Sequence, residues 1–159
     1  FLKSMISVGF ALPQAIRKNE LGKIERRGVL FSVGALDDKA DLLPVAKKFS
    51  DIEFEIYATE GTSDFFNQNG IPAKKLHKIS TGKDPNLLVS LSAKKFDLII
   101  NIPKHYSRSN VTDGYLIRRK SIDLNIPLIT NAQVAMIVAE ALQKYGEDDL
   151  KIEEWGRYF

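Results

Sequence analysis

The chain has 159 residues, 44% hydrophobic and 27% charged, with a net charge of +3. That length suits one domain with a substantial core. No apolar run is long enough to cross a bilayer, and the mild positive excess fits a small anion better than a nucleic-acid polymer. With no cysteine and two histidines, disulfides and thiolate metal ligands are excluded and a transition-metal site has few donors. The composition leads us to expect a cytoplasmic protein with no metal centre, no membrane contact and no nucleic-acid partner.

In chain order, Phe1-Leu2-Lys3-Ser4-Met5-Ile6 reads as the last turns of an amphipathic helix, too short in its apolar part for a signal sequence. Pro13 closes it. Gln14 to Gly28 is rich in Arg, Lys and Glu with no sustained apolar face, as in a linker. Residues 1–27 are therefore expected to be the end of a preceding domain plus a charged linker, in a chain cut from a longer polypeptide.

From Gly28 the periods of two and of 3.6 alternate. They predict a strand Val29–Val33, a helix Lys39–Phe49, a strand Phe54–Ala58 and a helix Ser63–Asn69. A weak strand Lys75–His77, a helix Leu87–Lys95 and a strand Leu98–Asn101 come next. After a loop Ile102–Asp113 the pattern gives a helix Tyr115–Leu124, a short strand Leu128–Thr130 and a helix Ala132–Tyr145. Such alternation implies an α/β fold: a doubly wound, five-stranded parallel sheet with right-handed crossovers and helices on both faces. The domain is expected over residues 28–147, and a tail over 148–159 is expected to pack back through Trp155, Tyr158 and Phe159.

Ligands of such sheets collect outside the carboxyl ends of the strands, where helix N-termini present unpaired N–H groups. The turn Tyr57-Ala58-Thr59-Glu60-Gly61-Thr62-Ser63-Asp64 lies at such an end. A phosphate monoester needs clustered N–H groups, hydroxyls and one or two cations, and Lys39, Thr59, Thr62 and Lys78 supply that set. Helix capping also accounts for either threonine alone, and solvated surface charge for either lysine. Asn101 ends the apolar strand Asp97-Leu98-Ile99-Ile100-Asn101 and can donate to a ligand or tie down the next loop. Asp113 can accept from ribose hydroxyls or cap its helix. Of Arg118 and Arg119, one is expected at the rim or on an internal carboxylate. His77 and His105 read as solvated, and Asp84, before Pro85 and a helix, reads as an N-cap.

Four segments carry a resemblance: Ala58-Thr59-Glu60-Gly61-Thr62-Ser63, Asp97-Leu98-Ile99-Ile100-Asn101, Leu116-Ile117-Arg118-Arg119 and Ile126-Pro127-Leu128-Ile129-Thr130-Asn131. Together they resemble the methylglyoxal-synthase-like domain at the carboxyl end of the carbamoyl-phosphate synthetase large subunit, over about Phe1 to Lys144. The opening Phe1-Leu2-Lys3-Ser4-Met5, with Gly9-Phe10 and Leu12-Pro13, resembles the segment that leaves the last ATP-grasp region of that enzyme. The resemblance implies an allosteric, non-catalytic module with no cofactor of its own; ATP and Mg would act in the absent catalytic domains. Its partners would be a phosphorylated small-molecule effector, the remainder of the large subunit and the glutaminase small subunit. By motif, the phosphate contacts fall on Lys39, Thr59, Thr62, Lys78 and Asn101, and the ribose contact on Asp113.

Pro103 departs from the bacterial pattern, which has a hydroxyl there, and the Asn-Ile-Pro and Ala-Thr-Glu spellings resemble the animal branch. Nucleotides, phosphoribosyl pyrophosphate, uridine triphosphate and N-acetylglutamate all stay open as effectors. Methylglyoxal synthase itself is the alternative. It is a lyase that eliminates phosphate from dihydroxyacetone phosphate with a carboxylate base in a glycine-rich loop and a His-Asp pair. Here that loop reads Thr81-Gly82-Lys83-Asp84-Pro85-Asn86, and no His-x-x-Asp arrangement precedes Arg118. The lysine-threonine-leucine-histidine-proline run of the purine-synthesis cyclohydrolase domain is absent as well.

Overall fold

The computed structural model describes residues 1–18, 21–77, 81–104 and 113–145. A short helix α1 (Leu2–Ser7) and a hairpin of β1 (Ile16–Lys18) and β2 (Ile24–Arg26) precede an alternating core. That core runs β3 (Gly28–Val33), α2 (Leu36–Asp51), β4 (Glu55–Thr59), α3 (Glu60–Gln68), β5 (Lys74–Leu76), α4 (Leu87–Ser92), β6 (Phe96–Ile102), α5 (Asp113–Asp123), β7 (Leu128–Ile129) and α6 (Ala132–Lys144). The five core strands lie in the order β5-β4-β3-β6-β7, and every pairing among them is parallel. The doubly wound sheet expected from the alternation is present.

Period two divides the core into two layers. Val29, Phe31 and Val33 of β3, with Ile56, Ala58, Leu98 and Ile100 beside them, face α2, α3 and α6. Leu30 and Ile99 point the other way, toward Leu87 and Leu91 of α4 and Ile117 of α5. A strand covered on both faces reads as a near-continuous apolar run rather than an alternation, which is why Val29–Val33 and Leu98–Asn101 read as strands, although β6 begins two residues earlier, at Phe96. α2 meets the sheet through Leu42, Val45, Ala46 and Phe49, the spacing of one helix face. Phe31 is the hub of that layer, with the rings of Phe49 and Phe66 edge-on at 6.4 and 5.3 Å; each such ring stabilises the fold by about 1.5–3 kcal/mol through burial.

The structure departs from the sequence reading in five places. Residues 14–28, read as a linker, contain the antiparallel hairpin, with Ile16 opposite Arg26 and Lys18 opposite Ile24. Its charge has a partner: Arg27 Nε donates to buried Asp97 at 2.7 Å, and Arg17 pairs with the same carboxylate at 2.9 Å. α2 starts at Leu36 and α3 at Glu60, each three residues earlier than expected. Lys39 thus lies within the first turn of α2, where Asp37 and Asp38 complement the positive helix end. α4 stops at Ser92, because Lys94 takes a left-handed φ of 50°. The N-cap of α4 is Asn86, whose side chain accepts from Leu88 N at 2.8 Å, and not Asp84, which lies exposed two residues earlier.

The tail at 148–159 and the loop from 105 to 112, with His105, lie outside the described residues. No helix among the described residues is long and apolar enough to cross a membrane.

Candidate functional site

The chain leaves β3 through α2 to reach β4 on one side, while β6 adds on the other side. This reversal puts the switch point of the sheet at the carboxyl ends of β3 and β6, the place where ligands of open parallel sheets sit. Gly34, directly after β3, is where the chain can cross closely: a Cβ there would lie 2.3 Å from Lys104 N. Its own N–H donates to Ile102 O at 2.9 Å, so the segment after β6 is drawn across the end of β3.

On the β4 side, Thr59 holds the N-cap position of α3 in extended conformation, yet its hydroxyl makes no cap bond. Instead Thr59 Oγ1 and Thr62 Oγ1 lie 3.5 Å apart, both side chains buried. Thr62 Oγ1 also accepts from Val33 N and donates to Val33 O, each at 3.2 Å. Capping therefore explains neither threonine; Thr62 clamps the first turn of α3 onto the end of β3. Lys39, from the first turn of α2, donates from Nζ to Gly61 O at 3.0 Å. Two helix N-termini, two hydroxyls and one ammonium thus converge around Gly61.

On the β6 side, Asn101 is 1% exposed. Its Nδ2 donates to Ser32 O at 3.3 Å and its Oδ1 accepts from Arg118 Nη1 at 2.7 Å. Ser32 and Val33 are adjacent in β3, so this pair and the Thr62 clamp meet across one strand end. Asp113 opens α5, and Gly114 stands over the pair: a Cβ there would sit 3.4 Å from Arg118 Nη1 and 3.6 Å from Asn101 Nδ2. Of the residues singled out in the sequence, Lys39, Thr59, Thr62 and Asn101 line this one rim with Asp113 beside it, while Lys78 lies outside the described residues.

Sequence reasoning gave Arg118 two possible destinations, the rim or an internal carboxylate. It goes to the rim, with Asn101 and, among the described residues, no carboxylate as its partner. The available signal was Gly114 and Arg118 at i and i+4, one small and one long residue on the same helix face. His77 was misjudged. It is not merely solvated: Nδ1 lies 2.5 Å from Glu60 Oε1, in the first turn of α3. Its backbone holds the returning loop, with His77 N donating to Pro85 O at 2.9 Å and His77 O accepting from Leu87 N at 3.1 Å. Beside it, the bond to Asp64 holds the Lys75 ammonium above its ordinary value.

The family of MGS-like domains matches residues 41–130. The chain is 36% identical over 149 residues to the multifunctional protein ura1 of Schizosaccharomyces pombe, covering 89% of this chain and 6% of that protein. It is 36% identical to the human mitochondrial carbamoyl-phosphate synthase [ammonia], over 95% of this chain and 9% of that protein. The carbamoyl phosphate synthase large chain of Archaeoglobus fulgidus is 40% identical over 122 residues, 76% of this chain and 11% of that one. The chain thus spans a small fraction of each relative. Among solved structures, methylglyoxal synthase from Elizabethkingia anophelis superposes with a TM-score of 0.54 at 17% identity, over 83% of this chain and 90% of that one. With the family match extending over more than half of the chain, and the fold of a methylglyoxal synthase around it, this chain belongs to the family of MGS-like domains.

Proposed function

We propose that this chain is the allosteric module of a carbamoyl-phosphate synthetase and that it binds a phosphorylated small-molecule effector at the carboxyl rim of its sheet. The observation that carries this reading is the convergence of Lys39, Thr59 and Thr62 around Gly61, one strand from Asn101 and Arg118. An anion seated there would meet the first-turn N–H groups of two helices, which have no intrahelical acceptor, together with their positive dipole ends. Lys39 and, with it, Lys78 would neutralise the phosphate; Asp113 would accept from ribose. Carbamoyl phosphate synthesis itself, with ATP and Mg, belongs to the rest of the parent chain and its glutaminase partner. An effector whose affinity differs between the active and inactive parent by about 1–3 kcal/mol is sufficient to regulate it.

The test is a calorimetric titration of the chain with uridine and inosine monophosphates, uridine triphosphate, phosphoribosyl pyrophosphate and N-acetylglutamate. Binding of at least one of the four phosphorylated compounds, weakened by Lys39→Ala and by Thr59→Ala, is the expected result, and binding of N-acetylglutamate alone overturns the phosphate reading. No binding by any of them, or binding indifferent to both substitutions, overturns the assignment.

A further inference from the structure

We propose that the cavity at the amino-terminal edge of the sheet, opposite the rim, is a second anion site that takes a small organic carboxylate or a phosphate. Its volume is about 270 Å³, and its polar lining is Arg17, Arg27, Lys94, Asp97 and Asn125. Three cations thus face one carboxylate. Asp97 is fully engaged: Oδ1 accepts from Arg27 Nε at 2.7 Å, while Oδ2 accepts from Gln14 N at 3.1 Å and pairs with Arg17 Nη2 at 2.9 Å. Its side chain is 2% exposed, against 15% for Arg27 and 45% for Arg17.

A guanidinium carries five N–H donors in a rigid fork. Arg27 uses only Nε on Asp97 and Arg17 only Nη2, and neither head group meets another acceptor among the described residues. The buried carboxylate fixes both forks in place, so their remaining N–H groups are oriented before a ligand arrives, and Lys94 adds a third charge. Bidentate pairing of a guanidinium with a carboxylate or phosphate is the strong form of such recognition. The opposite wall is apolar, with Phe96 and Ile126. The volume falls below the ~300–1,000 Å³ of pockets for drug-sized ligands, so a compact acid with a short apolar body matches this site and a nucleotide does not. This inference does not rest on the effector reading of the rim.

The test is an NMR titration of the chain, at constant ionic strength, with succinate and separately with inorganic phosphate, following the arginine Nε–Hε signals. Saturable shifts of Arg17 and Arg27 with at least one of the two are expected. Lys94→Glu and Arg17→Gln, both at solvent-accessible positions, should each weaken that response about tenfold or more, while Thr59→Ala at the rim leaves it unchanged. The tighter of the two probes assigns the ligand as carboxylate or phosphate. Shifts that stay linear and match those in chloride, or saturable shifts that both cavity variants leave intact, overturn the proposal.

Discussion

Thr62 and Thr59 are three residues apart in the sequence and chemically alike, yet they do different work. Thr62 gives its hydroxyl to both backbone groups of Val33, so Thr62→Ala strands a buried N–H and should cost about 1–3 kcal/mol in denaturant unfolding. Among the described residues the Thr59 hydroxyl meets only that of Thr62, at 3.5 Å, and Thr59→Ala should leave the unfolding midpoint nearly unchanged. Equal losses in the two variants would refute this division. Asp84 is exposed on its loop, with Lys83 before it and Pro85 after it. We expect no methylglyoxal from dihydroxyacetone phosphate above a buffer control; turnover that vanishes in Asp84→Asn would make the chain a lyase.

At the scale of elements, the hairpin of β1 and β2 is the part most dependent on a distant partner. An isolated two-stranded hairpin is marginal in water, and all six residues of its strands are exposed. Asp97 of β6 holds its base. Asp97→Ala leaves Arg27 without its partner in a nearly closed environment and should cost about 3–5 kcal/mol. Arg17→Ala removes a half-exposed pair and should cost at most about 1 kcal/mol. In hydrogen exchange, Asp97→Ala should release the amides of residues 16–18 and 24–26 while those of β3 keep their protection. If the hairpin amides stay protected in Asp97→Ala, the anchor lies elsewhere.

For the whole molecule, Glu55 and Tyr57 on β4 and Lys74 on β5 set the pH window of stability. Burial, and then the 2.7 Å bond to Glu55, raise the Tyr57 phenol well above its ordinary value. The unfolded chain begins to release that proton near its ordinary value of 10.0 and the folded chain does not. The contribution is therefore complete below that pH and is lost as pH rises beyond it. Burial would raise the Glu55 carboxyl, but the bonds from Lys74 and Tyr57 and the Lys74 charge outweigh it and hold the group below 4.5. Its contribution is present above that pH and is lost as pH falls through the lowered value. Denaturant unfolding across pH should thus show a plateau with losses at both ends. Tyr57→Phe should flatten the alkaline limb and, by removing one bond to Glu55, shrink the acid limb as well; an unaltered alkaline limb would place the titrating group elsewhere.

The sequence by itself determined the layered architecture. A strand buried on both faces is apolar along most of its length, and a helix lying on a sheet is apolar at every third or fourth position, which made Val29–Val33, Leu42–Phe49 and Leu98–Ile100 readable. It also placed Lys39, Thr59, Thr62 and Asn101 on one rim, since a parallel sheet sends all its carboxyl ends the same way. Only the tertiary structure decided how those side chains are used. Which oxygen Thr62 meets, that Arg118 chooses Asn101, that His77 meets Glu60 and that Arg17 and Arg27 share Asp97 depend on contacts between residues 17 to 80 positions apart. Local periodicity carries no information on such pairings: they are set by strand order and by where each crossover returns the chain to the sheet.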